Sequence, residues 1–100
     1  MKLGILVNTS RHLEAVLGIT RAALRRGHEV MIFTMDEGVR LFAEPRYREL
    51  CKLQGVKMSF CDHNAVRLGL DKGPIPAEVV CGSQYDNALM NHECDKVLVL

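Results

Sequence analysis

The sequence predicts a single α/β domain: a three-layer α/β/α sandwich on a mostly parallel sheet of about five strands. Three observations carry this. Short apolar runs alternate with stretches of helical periodicity along the whole chain. The first strand, helix and strand form a βαβ unit, which requires parallel strands and a right-handed crossover. The 100 residues contain no linker, repeat or low-complexity run, so residues 1–100 read as one domain. Such alternation sets helices on both faces of the sheet.

Residues 2–7, Lys-Leu-Gly-Ile-Leu-Val, are a short apolar run that ends in Asn8-Thr9-Ser10, a buried strand followed by a helix start. Leu13, Val16, Leu17, Thr20 and Leu24 then recur at helical spacing, with Ala23 beside them. Arg25-Arg26-Gly27 closes this helix: cations suit its last turn, and glycine suits a left-handed cap. His28–Met35 is the second strand, with its bulk in Val30, Ile32 and Phe33. Asp36-Glu37-Gly38 breaks the pattern, and Val39–Phe42 forms a short helical turn. Pro45 opens a helix that continues from Arg46 to Gln54, with Tyr47, Leu50 and Cys51 on one face and Gly55 as its stop. Val56–Phe60 is the third strand. Cys61-Asp62-His63-Asn64 leads into a short helix that closes near Gly69, and Asp71–Pro76 is a loop. Val79-Val80-Cys81 is a weak strand. Gln84–Glu93 is a helix with Tyr85, Ala88, Leu89 and His92 on one face, and Lys96–Leu100 is the last strand.

Composition narrows the function classes. Thirteen basic and twelve acidic residues leave a net charge of +1, which gives no pull toward nucleic acid or a membrane surface. Arg21, Arg25 and Arg26 read as a solvated helix face. No apolar run is long enough to span a bilayer, and Met1-Lys2 is followed at once by the first strand rather than by a signal core. The expectation is a cytoplasmic protein. There is no Trp, and Phe and Tyr together number five, so an aliphatic core is expected.

Chemistry is sought where strands end, because ligands of open parallel sheets gather at the carboxyl edge. Asn8-Thr9-Ser10, Met35-Asp36-Glu37-Gly38 and Cys61-Asp62-His63-Asn64 occupy three such ends. The four cysteines, at 51, 61, 81 and 94, have irregular spacing and no C-x-x-C, and are read as reduced thiols. Cys51 falls on an apolar helix face and reads as a core residue. Cys81 is equally compatible with burial or exposure, and Cys94 reads as structural. Cys61 stands where a strand hands over to a helix, and N–H groups at a helix start favour a thiolate. Asp62 opposes that by repulsion, and a protonated His63 favours it. Its position is compatible with a buried structural role or a functional one. Cys61-x-His63 and His92-x-Cys94 do not have chelating spacing for zinc, so no metal site is expected. No glycine-rich phosphate loop occurs. His12 reads as a surface residue rather than a pocket wall.

Taken together, three stretches carry a family resemblance. The Lys2–Val7 strand with Asn8-Thr9-Ser10 and its helix closing on Gly27-His28-Glu29-Val30 is the first. Ile32-Phe33-Thr34-Met35-Asp36-Glu37-Gly38-Val39, a strand ending in an acidic-Gly-Val turn, is the second. Gly55 through Leu70, with its strand, cysteine and Gly69-Leu70, is the third, and Asp95–Leu100 also fits. In order and spacing these resemble the DsrE/DsrF/DsrH-like group, which includes the Tus sulfur-relay subunits. The resemblance implies flavodoxin- or Rossmann-like layering. It also implies a persulfide carried on Cys61, sulfur donor and acceptor proteins as partners, and assembly as a homo-oligomer, a trimer or hexamer. Asn8, Thr9, Ser10, Asp36 and His63 are the expected pocket residues around Cys61. The exchange needs no metal or organic cofactor. The alternative is a non-catalytic small-ligand or protein-interaction module of the same fold. A flavodoxin-like nucleotide binder ranks last, because the first loop lacks glycines.

Overall fold

A computed structural model describes all 100 residues. In chain order the elements are β1 (Lys2–Val7), α1 (Leu13–Arg25), β2 (Glu29–Thr34), a 3-10 helix over Asp36–Ala43, α2 (Pro45–Arg48), a second 3-10 helix over Glu49–Lys52, β3 (Val56–Cys61), α3 (Asp62–Arg67), β4 (Val80–Gly82), α4 (Gln84–Glu93) and β5 (Lys96–Val99). The sheet order is β4-β3-β2-β1-β5, and every neighbouring pair is parallel. The three-layer α/β/α sandwich expected from the sequence is present.

Handedness explains which helix goes where. The steps β1→β2→β3→β4 all move the same way across the sheet, so right-handed crossovers set their helices on one face. The step from β4 to β5 returns across three strands, and it sets α4 on the opposite face, against β1, β2 and β3. The two layers differ in weight. Under the α1–α3 layer lies the main core, with Ile5, Val7, Val16, Leu17, Ile32 and Leu50 among its members. Under α4 lies a small cluster of Phe33, Cys61 and Met90, flanked by Leu6, Met31, Met35, Cys94 and Val97.

Three local expectations are corrected. The core is not purely aliphatic: Phe42 stacks edge-on against Tyr47 (5.2 Å between ring centres) and Phe60 (5.4 Å), with all three rings buried. The helix expected through Gln54 breaks into α2 and a 3-10 turn, which brings both Leu50 and Cys51 inward. On α4, Tyr85, Ala88 and His92 point to solvent, Leu89 is half-buried, and Met90 is the one fully buried side chain. That helix rests on a narrow seam rather than a broad apolar face.

Two glycines set geometry that other residues would not. Gly27 ends α1 at φ +81°, and the N–H groups of Gly27 and His28 close back onto Leu24 and Ala23. Gly38 lies directly on the end of β1: a Cβ there would sit 2.5 Å from the Val7 carbonyl oxygen. The acidic-Gly-Val turn after β2 therefore needs glycine for close approach.

Candidate functional site

The connections after β3 and β4 leave the sheet in opposite directions, β3 into α3 on one face and β4 into α4 on the other. Adjacent strands whose connections diverge in this way open a crevice at their carboxyl ends, the position where ligands of open parallel sheets bind. Cys61 is the last residue of β3, paired in register with Gly82 of β4. It therefore stands at this divergence. Strand alternation decides the rest. Phe60 faces the main core, so Cys61 faces α4, where it joins Phe33 and Met90. Its residual exposure is 4%, and none of the three surface cavities is lined by it.

Cys81 pairs with Phe60 and so takes the face opposite to Cys61. It is the one exposed cysteine; Cys51 is buried and Cys94 half-buried. The Cys81 thiol lies beside the Asp62 carboxylate, which Lys72 Nζ bonds at 2.6 Å. Lys72 first, and then Cys81, hold the Asp62 carboxyl below the usual carboxylate range. Desolvation first, and the Asp62 carboxylate second, push the Cys81 thiol up. Burial also pushes up the thiols of Cys51 and Cys94. The sequence reading singled out neither Lys72 nor the Asp62–Cys81 pairing, because the 18 residues 62–79 separate the end of β3 from the start of β4, and only the pairing of these strands brings Asp62 and Cys81 together.

A second polar group ties the β2 loop to α3. Asp36 has φ +47°, the one non-glycine residue with positive φ. Asp tolerates this region better than most residues. Its N–H donates to Asn64 Oδ1 at 2.9 Å, and its carboxylate lies 3.7 Å from the Arg67 guanidinium. Asn64 is buried to 9% exposure; the sequence places it in the Cys61–Asn64 strand end but not among the pocket residues. On the other side of Asp36, Met35 packs near the Cys61 cluster, and Gln84 at the start of α4 reaches its sulfur at 3.8 Å.

The expected pocket residues separate into two groups. Asp36 is bonded to α3, the helix that Cys61 leads into. Asn8, Thr9 and Ser10 follow β1, two strands from β3, roughly 10 Å away at ordinary strand spacing. Thr9 Oγ1 instead donates to the Leu100 carbonyl at 3.4 Å and accepts from the Arg11 N–H. His63 is exposed, whereas Cys61 is buried, and His12, at the start of α1, is exposed as well. No group of three His, Cys, Asp or Glu side chains converges as a metal site.

No family model matches the chain, and no curated protein sequence matches it. Among solved structures, the chain is similar to the crystal structure of the ychN protein from E. coli, at 19% sequence identity. The match covers 100% of both chains with a TM-score of 0.79. At this identity the likeness concerns the fold, and it agrees with the five-stranded parallel sandwich described above. No helix is long and apolar enough to cross a membrane.

Proposed function

We propose that the chain is a sulfur-relay protein that accepts and passes on sulfane sulfur at Cys61. The observation that carries the reading is the position of Cys61 at the β3/β4 divergence, the binding point of an open parallel sheet. The resemblance of the Gly55–Leu70 stretch to the DsrE-like group supports it, as does the fold likeness.

The chemistry is two displacements. The Cys61 thiolate attacks the outer sulfur of a donor persulfide, R–S–SH. The S–S bond breaks, R–S⁻ leaves, and Cys61 becomes Cys61–S–SH. An acceptor thiolate then attacks that outer sulfur and regenerates the Cys61 thiolate. No net oxidant, metal or organic cofactor enters. Because Cys61 packs beneath Met90 of α4, with Phe33 of β2 beside it on the sheet, each displacement takes place in a form with α4 lifted from the sheet. The donor and acceptor are proteins of the cytoplasm in this reading. The carrier is a homo-oligomer, a trimer or hexamer, whose contacts include β5, an edge strand with Leu98 and Val99 exposed.

Intact-mass analysis after incubation with a persulfide donor tests the reading, in a Cys81→Ser background that removes the exposed thiol. A gain of one sulfur atom that is lost with Cys61→Ser is the expected result. No gain, or a gain that survives Cys61→Ser, overturns it.

One observation favours a second reading, a non-catalytic binding module: the near-complete burial of Cys61. A module of that kind leaves Cys61 unlabelled by alkylating reagents until the chain unfolds. A carrier exposes it by local opening.

A further inference from the structure

The largest concavity of the molecule lies away from Cys61, between the Asp36–Ala43 3-10 helix and the loop that leaves α3. Its volume is about 370 Å³, against about 180 and 150 Å³ for the other two. Only this one reaches the size usual for a small-molecule site. Half-buried Leu68 and Leu70, with exposed Ala43 and Pro74, give it an apolar floor over the fully buried Val39 and Phe42. Arg40, Arg48 and Asp71 stand around it.

The charged groups differ in what they have left to offer. Arg40 donates its Nε to Glu37, a surface pair. Asp71 Oδ1 turns back to accept the Gly73 N–H at 3.0 Å. Arg48 is half-buried, and its Nη1 donates to the Phe42 carbonyl at 2.9 Å. No carboxylate lies within ion-pair distance of it. One guanidinium edge is thus fixed by the backbone while its remaining N–H donors are free beside an apolar floor. A half-buried guanidinium without a counter-ion favours an anion, and its fork geometry suits a planar carboxylate or a sulfonate.

We infer that this groove binds a small amphipathic anion, with its carboxylate or sulfonate on Arg48 and its apolar body on Leu68, Leu70, Ala43 and Pro74. Arg40 adds a second, solvent-exposed positive charge at the rim. The Asp71 carboxylate opposes an anion and would attract a cation, but its Oδ1 is turned to the Gly73 N–H, whereas Arg48 keeps N–H donors free and has no counter-ion. The inference does not depend on chemistry at Cys61, and a Cys61→Ser protein binds equally well.

Octanoate is the probe, with octanol and octyltrimethylammonium as matched neutral and cationic controls. Titrations followed by amide NMR shifts give both affinity and location. Expected is saturable one-to-one binding of octanoate in the millimolar range or tighter, with shifts centred on Val39–Ala43 and Leu68–Asp71. Arg48→Met, which keeps the stem and removes the charge, weakens binding by about tenfold or more. Arg40→Gln, at an exposed position that leaves the Phe42 carbonyl bond intact, weakens it by about two- to fivefold. Octanol binding as tightly as octanoate, preferential binding of the cation, shifts centred elsewhere, or no saturation by about 10 mM each overturns the inference. So does an unchanged affinity in both variants.

Discussion

Met90→Ala is the perturbation that separates a working Cys61 from a buried one. Met90 is 1% exposed and is the single fully buried side chain of α4. It shares a cluster with Phe33 and Cys61, while Leu89 is half-buried and the rest of the helix is largely open. Truncating a buried Met to Ala costs about 2–5 kcal/mol. If the loss falls on the docking of α4, the open population rises by the corresponding factor. At 1.4 kcal/mol per tenfold, the lower figure is already about 30-fold. Where reclosing outruns modification, the labelling rate follows the open population. Alkylation of Cys61, read by peptide mass spectrometry under native conditions, is therefore expected to speed up by about 30-fold or more. Leu50→Ala is the control. Leu50 is as deeply buried but belongs to the core of the opposite layer, and its loss is in the same range. If α4 opens locally, Leu50→Ala lowers global stability and leaves the Cys61 rate unchanged. Equal acceleration in both variants means that Cys61 is reached only by global unfolding. No acceleration with Met90→Ala means that α4 is not what covers it. Either result refutes the opening step.

Other consequences concern the frame around this site. Gly38→Ala drives a methyl group to 2.5 Å from the Val7 carbonyl oxygen, and a backbone atom yields little; a loss of about 1–3 kcal/mol is expected in urea unfolding, and a loss below about 0.5 would show that the loop stands off β1. Tyr47→Phe leaves Thr34 Oγ1 without its 2.7 Å partner in a buried setting, at a cost of about 1–3 kcal/mol, and adding Thr34→Val recovers most of it. Burial pushes the Tyr47 phenol well above its ordinary value, with the Thr34 bond lowering it in part. Its folded form thus stays neutral where the unfolded form ionises, so this share of stability is present below about pH 10 and is lost as pH rises toward the folded value; the Phe variant lacks that alkaline loss. For Cys81, desolvation and Asp62 raise the thiol, so its alkylation midpoint lies above that of an ordinary cysteine. Asp62→Asn removes the repelling charge, lowers the midpoint and speeds labelling near pH 8; an unmoved midpoint would mean that Asp62 does not face the thiol in solution.

Much of the frame was open to reading from local pattern. Short apolar runs and 3.6 apolar spacing located all five strands and the four α-helices, with ends displaced by a residue or so except for α2, which stops at Arg48 rather than Gln54, because these patterns report which side of an element is dry. The stops at Gly27 and Gly69 followed from backbone conformations that glycine adopts freely. Cys51 as a core residue followed from its neighbours on one helix face.

The sequence by itself determined the α/β class, the parallel sheet and the presence of a cysteine at the end of β3. Only the tertiary structure decided what surrounds that cysteine. β3 extends through Cys61 rather than ending at Phe60, and because side chains alternate, the thiol faces α4, on the side opposite to Phe60 and the main core. The return step from β4 to β5 placed one thin helix over it, and strand order placed Asn8–Ser10 two strands away. The partners of Asp36 and Asp62 came from other elements, Asn64 and Arg67 for one, Lys72 and Cys81 for the other. Local periodicity records burial along one element. It does not record which elements meet, since that follows from crossover handedness and strand order across the whole sheet.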